Sequence, residues 1–336
     1  MQVSNFERVG IGVYPTPYER MHRLEAQLNG PRLFVKREDL TGVALGGNKV
    51  RQLDYILVQA RRNNCDYVIT TSGIQSNWAR QTTALAIKMG MKALLVLRTA
   101  QFTRKPSQFD GNILLDHIMG AEVKIIKMKI NEDPAELLES EAEKLRRKSH
   151  NPLVLGLQAA VSAPAAIAYV DAARELIQQA DDVIPDAIIL ATSAGATQAG
   201  LTLGAKMMGI RSKVIGVNVG AFSSSVVRNT IINTAAEAAR ILDSNVRLTG
   251  EDVIIVDDYI GGGYGIPTKA ANNALLTAAR TEALILDPVY TSKAMAGLID
   301  MIKIGKLKEG ENICFVHTGG IPALFPYKRH FQPQKR

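Results

Sequence analysis

The segment Lys36–Arg51, KREDLTGVALGGNKVR, carries a short strand into a glycine-bearing loop and then a lysine at the start of a helix. Gly46 and Gly47 let the backbone turn tightly and approach a ligand. Lys49 stands away from any long solvated face. A lysine placed there is partly desolvated, which lowers its pKa and makes its amine a better Schiff-base nucleophile. The bland alternative is an exposed lysine after a glycine turn. A phosphate loop fits poorly: Gly42, Gly47 and Lys49 nearly match GxxxxGK[ST], but Asn48 intervenes and Val50 replaces the magnesium-binding hydroxyl.

Two further turns are dense in donors. Thr71–Arg80, TSGIQSNWAR, offers Gln75, Ser76 and Asn77 where a helix begins, and backbone amides at a helix start favour a carboxylate. Ser76 and Asn77 equally suit plain helix caps. Ala191–Gly200, ATSAGATQAG, exposes consecutive amides between small side chains, and Ser193 and Thr197 add hydroxyls. Such a turn cradles a phosphate, or simply packs a helix tightly on a strand. It lacks GxGxxG, so no dinucleotide fingerprint is present. Tyrosines flank flexible backbone in Gly261–Pro267 (GGGYGIP) and Leu286–Lys293 (LDPVYTSK). The histidines have no metal-ligand spacing, and GxSxG is absent.

These turns need strands and helices to hold them. Apolar runs at Arg32–Lys36, Asp66–Thr71, Lys92–Leu97 and Glu122–Ile126 read as strands. Leu53–Arg62 and Asn77–Met89 read as helices. The rhythm resumes after residue 160: a helix over Ala163–Gln179, broken at its start by Pro164, a strand at Ala187–Ala191, a helix over Thr197–Met208 and a strand at Lys213–Asn218. Short apolar runs follow at Val253–Val256 and Ile313–Val316. This order predicts two doubly wound α/β units with parallel sheets, whose ligands bind at the carboxyl ends of the strands. The tail from Tyr327 is expected to fray.

Bulk properties narrow the function classes. Hydrophobic residues are 46% and aromatics 5% of the 336, which suits aliphatic helix–sheet packing. The net charge is +8, but Lys and Arg are spread along the chain, which argues against a nucleic-acid partner. Glu136–Lys148 mixes both signs at helical spacing and reads as a solvated helix face. Cys65 and Cys314 lie far apart outside any CxxC, which excludes a disulfide framework or zinc ribbon and fits a reducing cytosol. No secretory signal or membrane-length apolar stretch is visible.

Taken together, the motifs resemble the fold-type II (tryptophan synthase β-like) pyridoxal-phosphate (PLP) enzymes, in particular the family of D-cysteine desulfhydrase and 1-aminocyclopropane-1-carboxylate (ACC) deaminase. KREDLTG…GGNKVR, GIQSNWARQ, AGATQAG, GGGYGIP, LDPVYTSKAM and HTGGIPALF recur in the family's order over about residues 10–327. The resemblance implies two α/β domains with the site between them: a small domain inserted at 50–160, and a large PLP-binding domain from 1–49 and 161–336. It implies pyridoxal 5'-phosphate as cofactor, a small amino-acid substrate and a homodimer. Lys49 would be the Schiff-base lysine that shuttles the Cα proton. Asn77 would contact the cofactor's ring hydroxyl, and Gln75, Ser76 and Asn77 would line the carboxylate pocket. Ser193, Ala194, Gly195, Ala196 and Thr197 would hold the phosphate. Tyr264 and Tyr290 would face the substrate and flank the ring, and Thr318 would meet the pyridine nitrogen.

Within the family, ACC deaminases follow the DPVY tyrosine with a glutamate that meets the pyridine nitrogen, whereas this chain has Thr291. They read His-Leu-Gly-Gly where this chain reads HTGG. Both features match the D-cysteine desulfhydrase branch and imply α,β-elimination to pyruvate, ammonia and sulfide. ACC deamination, L-cysteate desulfonation, another D-amino-acid or diamino-acid lyase and a non-catalytic PLP binder are the alternatives. Trp78 departs from both branches, which carry histidine or glutamine there. It reads equally as a reshaped pocket wall or as packing beneath the helix. Ala196 replaces a frequent Gly or Ser but keeps its amide.

Overall fold

The computed structural model describes residues 6–99, 109–129, 132–156 and 159–331. Two sheets organise these residues. The larger has six strands in the order β1 (Tyr18–Arg20), β2 (Arg32–Lys36), β10 (Asn312–Val316), β7 (Ala187–Thr192), β8 (Lys213–Asn218) and β9 (Ile254–Val256). All neighbours are parallel except β1, which pairs antiparallel with β2. The smaller sheet runs β5 (Glu122–Ile126), β4 (Lys92–Arg98), β3 (Tyr67–Gly73), β6 (Pro152–Leu155) and is wholly parallel. The central strands are continuous apolar runs because helices cover both faces. Leu33, Ile189, Ile313 and Phe315 of the larger sheet, and Val68, Ile69 and Leu95 of the smaller, are buried.

The α/β alternation follows the sequence reading, with local differences. The helix expected over Leu53–Arg62 is two: α2 (Asn48–Ile56) and α3 (Val58–Arg62), separated at Leu57. Lys49 therefore sits inside the first turn of α2. The helix expected to break at Pro164 instead runs unbroken as α7 (Ala159–Ala180). Near a helix start, proline forfeits a single main-chain bond, and packing of α7 against α2 and α8 (Ala196–Met207) outweighs it. The expected fraying from Tyr327 is also corrected. Ile321–His330 forms 3-10 turns, and the Tyr327 hydroxyl donates to the Gly265 carbonyl at 2.7 Å. Residues 332–336 of that tail lie outside the described residues. The mixed-charge stretch forms α6 (Ala135–Arg146), where Arg146 pairs with Glu139 and Glu143, while Leu138, Ala142 and Leu145 face inward. Cys65 and Cys314 are free thiols. Among the described residues no helix is long and apolar enough to cross a membrane, and no cluster of His, Cys, Asp and Glu suits a metal.

Behind α2 lies a buried ionic network. Arg51 donates to Glu38 from Nε and Nη2, both at 2.8 Å, and to Glu175 from both terminal nitrogens at 3.0 Å. Lys36 reaches Glu175 at 2.5 Å, and Thr16 and Tyr169 donate to Glu38. Burial alone would raise the Glu38 carboxyl, but the Arg51 charge and hydrogen bonds hold it down to about 2. Its contribution to stability is therefore complete above the ordinary carboxylate range and is lost as pH falls through about 2. The network binds β2, α2 and α7 into one unit beneath Lys49. Arg51→Met strands the Glu38 charge, and urea unfolding is expected to show a loss of about 3–5 kcal/mol. A loss below 1 kcal/mol would contradict this account.

Candidate active site

The carboxyl ends of β2, β3, β7 and β8 all lead into segments that converge on one cleft of about 370 Å³. Both sheets contribute to its walls: Thr71, Ser72, Gly73 and Arg98 from the smaller, Ser193, Ala194 and Ala196 from the larger. Apolar groups from Leu155, Val161, Ala165, Phe222, Val226 and Val227 fill much of the remainder.

Lys49 reaches this cleft because of the turn before it. Gly46 has φ 60°, and a Cβ there would fall 1.9 Å from the Asp39 carbonyl oxygen, so no other residue fits. The Asn48 amide donates to the Thr318 carbonyl at 3.0 Å, and the Val50 amide to Gln81 Oε1 at 2.8 Å. The Lys49 amine donates to Gln52 Oε1 at 3.0 Å. Among the described lining residues there is no Asp, Glu or His, so nothing acidic compensates for the lost water. Desolvation lowers the amine to about 8, leaving a sizeable neutral fraction near physiological pH.

The turn from β3 into α4 (Asn77–Lys88) places its residues in different surroundings. Ser76 lines the cleft and also caps α4, accepting from the Trp78 and Ala79 amides at 3.1 and 3.3 Å. Trp78 lines the cleft and packs in the apolar layer with Val50 and Leu155. Its indole N–H donates to Thr70 Oγ1 at 2.8 Å, so the ring is fixed as a wall. Gln75 is outside the lining: its Nε2 donates to the Asp110 carbonyl and its Oε1 accepts from the Asn112 amide, both at 2.8 Å. Asn77 is not among the lining residues either; its Oδ1 is turned to Asn112, accepting from Nδ2 at 3.0 Å.

The turn from β7 into α8 brings Ser193, Ala194 and Ala196 to the cleft. Gly195, at φ 85°, has no room for a Cβ, which would lie 2.7 Å from Ile231 Cγ1. The first amides of α8 receive no side-chain cap. Uncapped amides at a helix start beside small side chains suit a phosphate. Thr197 Oγ1 faces the other way, accepting from Asn48 Nδ2 at 3.0 Å and Gln52 Nε2 at 2.9 Å.

Tyr264 and Tyr290 both line the cleft, and their hydroxyls are hydrogen-bonded to each other. Burial raises both phenols, so each is neutral at physiological pH. The start of α11 (Thr291–Lys303) clamps the pair. Asp287 accepts from the amides of Val289, Tyr290 and Thr291 at 2.8–2.9 Å and from the Thr291 hydroxyl at 2.7 Å, which fixes the Tyr290 turn. The buried Lys293 amine donates to the carbonyls of Ile260 and Gly263 at 2.8 and 2.9 Å, which fixes the loop of Tyr264. Thr318 is outside the lining, in the loop after β10. Its neighbour His317 accepts from the Gly319 amide at Nδ1 and donates from Nε2 to the Ile285 carbonyl, so it is neutral.

Sequence reasoning did not single out Gln52, Arg98 or Asn112. Gln52 had a signal, standing three residues after Lys49 on one helix face. Arg98 ends a strand, and only the Gly73–Arg98 register brings it beside the β3 turn.

The residues present fit a phosphorylated aldehyde cofactor: an amine of lowered pKa and an uncapped helix start share a cleft with no carboxylate among its described lining residues. The profile of the family described as "Pyridoxal-phosphate dependent enzyme" matches residues 9–319. A 1-aminocyclopropane-1-carboxylate deaminase of Bradyrhizobium diazoefficiens is 33% identical, covering 98% of this chain and 99% of that protein. A D-cysteine desulfhydrase of Klebsiella pneumoniae is 35% identical, covering 98% of each. A crystal structure of an ACC deaminase homologue superposes with a TM-score of 0.87 at 34% identity, covering 98% of this chain and 96% of that one. Threonine deaminase isoform 2 from Solanum lycopersicum shares the fold at a TM-score of 0.61 and 18% identity, over 92% and 80% of the two chains. The chain therefore belongs to the pyridoxal-phosphate dependent enzymes of fold type II, in the lyase and deaminase family of these relatives, and its cofactor is pyridoxal phosphate.

Proposed function

We propose that this enzyme carries out α,β-elimination on a small amino acid, with D-cysteine as leading substrate and pyruvate, ammonia and sulfide as products. The cofactor supplies the electron sink for the bond broken at Cα. Lys49 holds the cofactor and moves the Cα proton. The start of α4, with Gln75, Ser76 and Asn77, orients the substrate carboxylate, and Trp78 limits the room beside it. Ser193, Ala194, Gly195, Ala196 and Thr197 hold the phosphate, and Thr318 faces the ring nitrogen. Tyr264 and Tyr290, both neutral, hand a proton to the departing sulfur. Water then completes the balance: one cysteine and one water give one pyruvate, one ammonia and one hydrogen sulfide.

The observation carrying elimination over ring opening is the lack of a carboxylate among the described lining residues. Thr291, where the deaminase branch has its glutamate, is engaged with Asp287. A neutral partner leaves the ring nitrogen largely unprotonated and the sink shallow. Elimination tolerates that, because the leaving group departs as the proton is lost. Arg98 favours a second reading, L-cysteate with sulfite as product, since a sulfonate calls for a cation on the cleft wall. The reading also takes residues 50–160 as a small domain inserted between 1–49 and 161–336. The separate sheet of β3 to β6 supports this division. A cytosolic homodimer completes it, and light scattering checks the assembly.

Side-by-side assays of D-cysteine, L-cysteate and ACC separate the readings. Pyruvate with sulfide supports the first, pyruvate with sulfite the second, and a four-carbon 2-oxo acid the deaminase alternative. No turnover from protein that carries the cofactor identifies a non-catalytic binder. Tyr290→Phe is expected to lower kcat by roughly 10²–10⁴-fold with little change in KM. Reconstitution of the apoenzyme, followed by the borohydride-reduced adduct on Lys49, is expected to speed up with pH and level off above about 8, because only the neutral amine attacks. An ordinary lysine would keep gaining through that range.

A further inference from the structure

Behind the α4 turn lies a chain of hydrogen bonds with only one consistent polarity. Arg80 is fully buried. Its guanidinium has five donors and no acceptor, so every group facing it must accept. Nη1 donates to the Ala44 carbonyl. Nη2 donates to the Gly46 carbonyl at 3.2 Å and to Asn77 Oδ1 at 3.4 Å. Nε donates to Asn112 Oδ1 at 2.7 Å. Asn112, at the start of α5 (Gly111–Ile118), must therefore turn its oxygen to Arg80. Its Nδ2 is left to donate to the Gln75 carbonyl and to Asn77 Oδ1, both at 3.0 Å. Asn77 is fixed in turn. Its oxygen faces two donors, and its amide nitrogen points elsewhere and meets no acceptor among the described residues. A flipped Asn77 would set its NH₂ against a guanidinium and another NH₂, leaving several buried donors unpaired. The nearby carboxylate, Asp116, makes no hydrogen bond, so the polarity is set by Arg80 and neutral oxygens.

We propose that Arg80 is a positioning residue that, through Asn112, orients Asn77 as a hydrogen-bond donor to the cofactor's ring oxygen, while also pinning the loop that carries Lys49. The inference rests on the reading that Asn77 contacts that oxygen. A donor there favours the ionised oxygen, whereas a flipped amide would present an acceptor and demand a neutral hydroxyl.

The isosteric change Asn112→Asp tests the relay in the holoenzyme. A carboxylate at position 112 still accepts from Arg80 Nε, so the fold is retained. It also puts an oxygen before Asn77, which turns that amide round. The expected result is a weaker visible cofactor band with a stronger near-ultraviolet one, about tenfold weaker cofactor binding, and a Tm lowered by no more than the weaker binding and the lost Gln75 bond account for. Asn112→Leu and Arg80→Lys are expected to move the band in the same direction. Asn77→Ala should do so too, and adding Asn112→Asp to it should cause no further shift. Parent-like band and affinity in Asn112→Asp, when Asn77→Ala alone shifts both, would overturn the relay. A silent Asn77→Ala, with the cofactor still on Lys49, overturns it as well and places the fault in the Asn77 contact. Any variant that lowers only Tm shows a merely structural role.

Discussion

The arrangement depends on keeping one amine away from water and from any counter-charge. A lysine in bulk solvent is protonated and a poor nucleophile, and one beside a carboxylate is more so. Here Lys49 stands in the first turn of α2, in a cleft whose described walls hold amides, hydroxyls, phenols, apolar groups and the Arg98 guanidinium, but no carboxylate. The charges needed to hold the helix lie on its other side, where Arg51 meets Glu38 and Glu175. Opposite faces of one helical turn thus separate an ionic anchor from a reactive end. Arg51, two residues after Lys49, points into the protein because side chains at that spacing diverge.

The same division runs through the other loops. Several of the groups facing the cleft are held by partners outside it. Asp287 fixes the turn of Tyr290, Lys293 the loop of Tyr264, and Thr70 the Trp78 ring. Asn48 and Gln52 tie the lysine turn to the helix start at Thr197. At the cleft the lysine is lowered and the two phenols are raised, all chiefly by burial. Burial favours the neutral form of each, so base and proton donors are set by one physical cause.

Much of this was legible in the sequence because the relevant signals are local. Glycines before Lys49, hydroxyls and amides in Thr71–Arg80, and small residues in Ala191–Gly200 each mark a turn by residue type alone. Strands β2, β3, β4, β5, β7 and β8 stand out as apolar runs. What escaped depends on long-range pairing. β1 and β6 are short and take their identity from the strands beside them. The path of α7 through Pro164 is decided by its neighbours rather than by the residue. The ordering of Tyr327 comes from a carbonyl 62 positions earlier. Gln75 and Asn77 carry the right chemistry on the right turn. Their hydrogen bonds to Asn112 show that residue type does not say which partner a side chain takes.

The cleft is assembled from β3 and its turn, the end of β4, the loops after β6, β7, β8 and β9, and residues of α2, α7 and the helix Ser224–Ile241, spread between Lys49 and Tyr290. No contiguous stretch of chain contains more than a fraction of it. A ligand that needs the whole surface recognises only the fully assembled chain and contributes nothing to partly folded forms. Saturation with such a ligand raises global stability by mass action, by about 2.7 kcal/mol at a hundredfold excess over Kd. Vitamin supply and protein lifetime are therefore thermodynamically linked. A destabilising substitution far from the cleft would be partly offset by abundant vitamer and exposed by its scarcity.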